Sequence, residues 1–253
     1  MMQWLKYWLV SLLGVIAFSG SARSQDGSRL PSPLKAVFVY ANGKRAADEF
    51  AKVLQSRQID TQVVRANDLS EELFADKHLI IIGADTLPVW GFKAADDEIR
   101  NAKLPVLAMG EGGYKLLSKL DLDLGNLQVS RGETTSVRPV KQAIFWDGFR
   151  PPPVDGAHKC FEKSKRISIQ FDDATDGIHP IAAEGERDGH YPLMIEEPCF
   201  FFWGFGGTLD QMTKTGRELL CWACYYTVAA KRNPDRAFMS LDEVQRRRKA
   251  DND

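Results

Sequence analysis

The chain has 253 residues, 44% of them hydrophobic and 26% charged, with a formal net charge of −1. That is an ordinary balance for one medium-sized soluble domain, or one domain with elaborations. It supplies no bulk field to attract nucleic acid or a membrane surface, so no nucleic-acid partner is expected.

Residues 1–24 read as an export signal. Lys6 puts a positive charge near the start, an apolar run covers 7–18, and the small residues Ser19, Gly20, Ser21 and Ala22 follow. Cleavage after Ala22 or Ser24 fits the small-x-small rule. The apolar run is about a dozen residues, short of the roughly 20 that a membrane-spanning helix needs. The expected product is therefore periplasmic or secreted, and only an uncleaved signal would tie it to a membrane. Residues 25–34 are polar and contain Pro31 and Pro33, as a linker does.

Strands and helices then alternate. Residues 36–40 form a buried-strand run, and 44–58 carry Ala47, Phe50, Ala51, Val53 and Leu54 at helical spacing. A strand over 61–64, a helical turn over 68–74 and a wholly apolar strand over 79–82 follow. A helix is expected over 92–103 and a strand over 105–109. A tight glycine turn over 110–113 should lead into a helix over 114–120. Continuous apolar strands fit a sheet covered on both faces, and the alternation argues for right-handed βαβ units. The fold class is thus α/β, with a mostly parallel, doubly wound sheet. Residues 121–195 read as a small antiparallel and loop excursion, with β-like pieces at 128–130, 135–140 and 167–171. The core pattern returns with a strand over 199–203, a loop over 204–207 and a long helix over 212–230.

Ligands of open parallel sheets bind beyond the carboxyl ends of the strands. Three strands here end in glycine-containing loops: Gly83-Ala-Asp85, Gly110-Glu-Gly-Gly113 and Gly204-Phe-Gly-Gly207. The second, inside Leu104-Pro-Val-Leu-Ala-Met-Gly-Glu-Gly-Gly-Tyr-Lys-Leu-Leu117, has the strand, sharp turn and helix of a nucleophile elbow. It resembles the elbow of the class I glutamine amidotransferases, Pro-Val-Leu-Gly-Ile-Cys-x-Gly-x-Gln-x-Leu. Pro105, Val106, Leu107, Gly112 and Leu116 match, and the nucleophilic Cys falls on Gly110. The C-terminal segment resembles the same family. Thr213-Lys-Thr-Gly-Arg-Glu-Leu-Leu220 matches its Thr-x-x-Gly-Arg-x-Leu-Leu, but the catalytic His and Glu fall near Trp203 and Phe205. The resemblance implies a flavodoxin-like, glutamine amidotransferase-like domain over 35–232, followed by a charged tail over 233–253. It also implies that glutaminase chemistry is lost, because glycine offers no nucleophile and an aromatic side chain no base. Asp176-Gly-Ile-His-Pro-Ile181 resembles a stretch of the trehalose-utilisation (ThuA-like) branch of that superfamily.

The leading expectation is a non-catalytic domain. It would bind a small polar ligand or a protein partner in the cleft above the elbow, at Gly110, Glu111, Gly112, Gly113, Tyr114 and Trp203. The alternative is a carbohydrate-related hydrolase using Glu111 and His179, which must then lie within hydrogen-bond reach, directly or through one water. Each residue also has a plain reading. Glu111 complements a helix dipole, His179 sits extended before Pro180 in a surface loop, and Trp203, Phe205 and Tyr114 are core rather than an aromatic wall. His158 and His190 lie in polar stretches and read as surface. No spacing matches a metal site and no cofactor is expected. Cys160, Cys199, Cys221 and Cys224 permit two disulfides in an exported chain, in any of three pairings. Cys221 and Cys224, spaced C-x-x-C inside an apolar helix, read as buried small hydrophobes.

Overall fold

The structure, a computed structural model, describes residues 30–91, 95–141, 143–172, 175–185, 187 and 189–234. The expected signal over 1–24, most of the linker, and all of the tail beyond 234 lie outside the described residues.

The first half of the chain alternates strand and helix, except that two 3-10 turns, Ala66–Asp68 and Glu71–Phe74, replace the helix between its second and third strands. It runs β1 (Leu34–Tyr40), α1 (Lys44–Gln55), β2 (Ile59–Arg65), β3 (Leu79–Ile82), α2 (Ala95–Ala102), β4 (Val106–Met109) and α3 (Gly110–Lys119). The middle supplies β5 (Val129–Glu133), β6 (Ser136–Pro139), β7 (His158–Lys159), β8 (Lys165–Gln170), β9 (Ile178–Glu184), β10 (His190–Tyr191) and β11 (Leu193–Glu196). The chain closes with β12 (Phe200–Trp203) and α4 (Lys214–Arg232).

One sheet holds nine strands in the order β2-β1-β3-β4-β12-β11-β9-β6-β7. Its first five strands are mutually parallel. With β12 counted as the fifth parallel strand, the order is 2-1-3-4-5, that of flavodoxin-like sheets. The last four strands extend the sheet antiparallel. A second, three-stranded antiparallel sheet, β10-β8-β5, lies beyond the carboxyl ends.

Burial explains the apolar strands. Leu79 to Ile82 and Val106 to Met109 are buried at every position, because helices cover both faces. Phe38, Leu54, Ile81, Leu107, Phe201 and Trp203 pack on one face with Leu219, Leu220 and Ala223 of α4. Val39, Ile80, Ile82, Ala108 and Phe202 pack on the other with Ile99, Leu116 and Leu117. Helix α4 starts where the Thr213 Oγ1 accepts the Gly216 N–H at 2.9 Å, an N-cap worth about 1 kcal/mol. Gly216 is required by close approach: a Cβ there would sit 2.1 Å from the Cys160 carbonyl oxygen.

The excursion is larger than its sequence suggests. Strands β9 and β11 were expected as loop, yet they carry the antiparallel half of the main sheet. His179 and Pro180 are therefore in a strand, not in a surface loop. Pro180 is tolerated because β6 pairs with β9 only from Ala182 to Glu184. At Pro180 the strand is locally an edge, where a missing N–H costs nothing. His158 is also no surface residue: it is 3% exposed and stacks on Trp146 with ring centroids 5.0 Å apart.

All four cysteines are free and buried, so neither of the two disulfides that their number permits is formed, and Cys221 and Cys224 are buried as their apolar helix implies. Burial pushes the Cys160 and Cys221 thiols up to about 12 and Cys199 to about 11. Such thiols are inert packing groups.

Candidate functional site

The loops after β1, β3, β4 and β12 meet at the carboxyl end of the parallel strands. The expected turn over 110–113 is the first turn of α3 itself, since the helix starts at Gly110. Gly110 has φ +53, the left-handed backbone of a strained strand-to-helix elbow. A Cβ built on it would lie 2.8 Å from the Ala84 Cβ and 3.2 Å from the Gly206 Cα. The space a nucleophile would use is therefore filled, and the expected cleft above the elbow is closed by the loops after β3 and β12. Gly112 and Gly113 are buried in the same turn, beneath Thr86 and against Ala108.

Trp203 does not fill that cleft. It is fully buried and points, with Phe205, into the face covered by α1 and α4. Tyr114 lies on the opposite face, edge-on to Phe202, and its hydroxyl donates to the Leu127 carbonyl at 2.7 Å. Burial raises the Tyr114 phenol above its ordinary value. Trp203 and Phe205 on one side of a sheet and Tyr114 on the other form no common aromatic wall.

Glu111 is engaged by Arg131 of β5, whose Nε and Nη2 donate to its two carboxylate oxygens at 2.6 and 3.1 Å. That hydrogen bond raises the already high Arg131 pKa. His179 sits elsewhere, its Nε2 2.8 Å from Glu197 Oε1. Along the sheet His179 is level with Ile195, Phe201 and Leu107, four residues before Glu111. Across the sheet the two are three strands apart, so their separation is on the order of 15–20 Å. The convergence that the hydrolase reading needs is absent.

Asp85 is the group that sequence reasoning passed over, although its loop was singled out. Its Oδ2 accepts the backbone N–H groups of Ala41, Asn42 and Gly43 at 3.2, 2.9 and 2.8 Å. These three donors form an anion-binding nest at the β1/β3 switch point, where doubly wound folds hold ligands. Here a carboxylate of the chain occupies it. Thr86 and Trp90 fix the next turn: the Thr86 hydroxyl donates to the Gly83 carbonyl at 2.8 Å, and the Trp90 indole donates to the Gly112 carbonyl at 2.8 Å. A buried ion pair lies at the same end of the sheet. Arg166 Nη2 is 2.6 Å from Glu184 Oε2, with side chains 4% and 6% exposed. Only an acid and a base at distant positions mark it in the sequence, and nothing in their spacing signals the contact. Among the described residues, no group of three His, Cys, Asp or Glu could hold a metal ion.

Strand order, elbow and closing loops define a flavodoxin-like α/β fold, with glycine at the tip of the elbow. Comparison with solved structures agrees on the fold. A Bacteroides uniformis protein assigned as ThuA-like superposes with a TM-score of 0.58 at 9% identity, covering 83% of this chain and 95% of its own. A Thermoplasma acidophilum protein assigned to GMP synthase superposes with a TM-score of 0.52 at 13% identity, covering 82% and 100%. No family profile matches the chain, and no curated protein matches it in sequence.

Proposed function

We propose that this chain is an exported, non-catalytic glutamine amidotransferase-like domain that works by binding rather than turnover. The observation that carries the reading is the elbow: Gly110 has no side chain, and Ala84 and Gly206 leave no space for one. The residues aligned with the family's base and its orienting acid, Trp203 and Phe205, are fully buried in the core. The closed cleft favours a protein partner over a small ligand at this end of the molecule. The surface on offer is the polar rim of Asp85, Glu111, Arg131 and Gly206. The sequence of residues 1–24 supports export.

The test is ammonia release from glutamine by the purified chain. None above background is expected, and Gly110→Cys is expected to restore none. Glutamine hydrolysis that co-purifies with the chain and disappears in Glu111→Ala would overturn the reading. Recovery of the mature N-terminus at residue 23 or 25 from an exported fraction checks the targeting half.

A further inference from the structure

The small sheet ends in an open edge. Strand β5 pairs with β8 alone, with Val129 to Glu133 lying against Ile169 to Lys165. In an antiparallel pair, the backbone groups of successive residues point alternately toward and away from the partner strand. Three bonds fix which is which here. The Gln170 N–H donates to the Gln128 carbonyl at 2.8 Å, so the even-numbered residues of β5 face β8. Opposite Arg131, the Ile167 N–H turns away from β5 and donates to the Gly204 carbonyl at 2.7 Å. Opposite Glu133, the Lys165 carbonyl turns away and accepts the Gly206 N–H at 3.0 Å. The backbone N–H and C=O groups of Arg131 and Glu133 therefore point out of the edge. Among the described residues none of them has a hydrogen-bond partner, and Arg131, Gly132 and Glu133 are all exposed.

Such an edge is a template for another strand, and charge along it ordinarily discourages pairing. Here the two signs are spaced to match under a two-fold axis. Arg131 and Glu133 stand two residues apart, on one face of the strand. An axis through Gly132 sets Arg131 opposite Glu133 of a second copy, and Glu133 opposite Arg131 of that copy. In this register both positions are hydrogen-bonded pairs, each exchanging both backbone bonds. Gly132 meets its own copy at the axis, the position of closest Cα approach, with no side chain in the way. Glu133 has no ion-pair partner among the described residues. Arg131 spends Nε and Nη2 on Glu111, and its remaining N–H groups can take a second carboxylate.

We propose that the chain self-associates through β5 as an isologous dimer, in which the two small sheets join into one continuous antiparallel sheet. The occupant of the edge is a second copy because the edge is complementary to itself. The join is short, so the dimer is weak and reversible. The inference assumes neither export nor an inert elbow.

Sedimentation velocity of the purified chain over a range of concentrations tests it. A monomer–dimer equilibrium with a Kd on the order of 10–100 µM is expected. Glu133→Pro removes an outward N–H that β8 does not use, which an edge strand tolerates. It should abolish the dimer while leaving the thermal midpoint near that of the wild type. Glu133→Arg sets like charges opposite each other at both symmetric positions and should weaken association about tenfold. Arg131→Glu should also weaken it. An equimolar mixture of the Glu133→Arg and Arg131→Glu chains should dimerise again, because each supplies the charge the other lacks. A chain that stays monomeric up to about 1 mM, or a dimer that Glu133→Pro and Glu133→Arg leave as tight as the wild type, overturns the proposal.

Discussion

Replacing Gly110 by alanine tests the closed elbow directly. Two costs add. A residue with a Cβ at φ +53 pays about 1–2 kcal/mol for left-handed backbone. The new Cβ meets the Ala84 Cβ at 2.8 Å and the Gly206 Cα at 3.2 Å, and overpacking of that kind costs about 1–3 kcal/mol. The total, about 2–5 kcal/mol, is a large share of a domain's stability and lowers the thermal midpoint by on the order of 10 °C. Urea and thermal unfolding measure it. The two costs are separable, because trimming Ala84 to glycine relieves the steric part and leaves the backbone part. Gly110→Ala/Ala84→Gly should therefore be more stable than the sum of the two single changes allows, by about 1 kcal/mol or more. If Gly110→Ala is as stable as the wild type, or the cycle shows no coupling, the elbow is open and the argument for a filled nucleophile position fails.

Three other outcomes follow from the packing. Arg166→Met should destabilise by about 3–5 kcal/mol in denaturant titration, because Glu184 is left charged and buried; the double change Arg166→Met/Glu184→Leu should return close to the wild type. Burial holds the His158 pKa below its ordinary value of 6.5, so below that pH the unfolded chain takes up the proton more readily. Stability should be level above pH 6.5 and fall as pH drops through it toward the folded pKa, and His158→Phe should flatten that slope. The four thiols should resist a thiol reagent in the native chain and all react in denaturant, as free buried cysteines do.

Much of the parallel half was legible because its signals are local. Four-residue runs such as Leu79 to Ile82 are apolar throughout, since both faces of the strand are covered. Helix ends were less legible: α1 stops at Gln55, three residues before the expected boundary, and the chain reverses through Gln58 at positive φ, as it does through Lys103 after α2. The elbow was legible as a strand, a glycine turn and a helix contiguous in the chain. The antiparallel half was not. Strand β9 includes His179, Pro180 and Glu184, and its stability comes from pairing with Leu193 to Glu196 and from the Arg166–Glu184 contact, none of which has a local signature.

The sequence alone determined the class of fold, the position of the elbow and the absence of a nucleophile at its tip, because each is a property of neighbouring residues or of one missing side chain. Tertiary structure alone decided that the elbow is roofed over, that Glu111 and His179 stand far apart, and that Asp85 fills the nest at the switch point. It also decided that β5 is left with one open edge. Those facts depend on which distant segments the sheet brings together, and strand order is set by the packing of the whole chain.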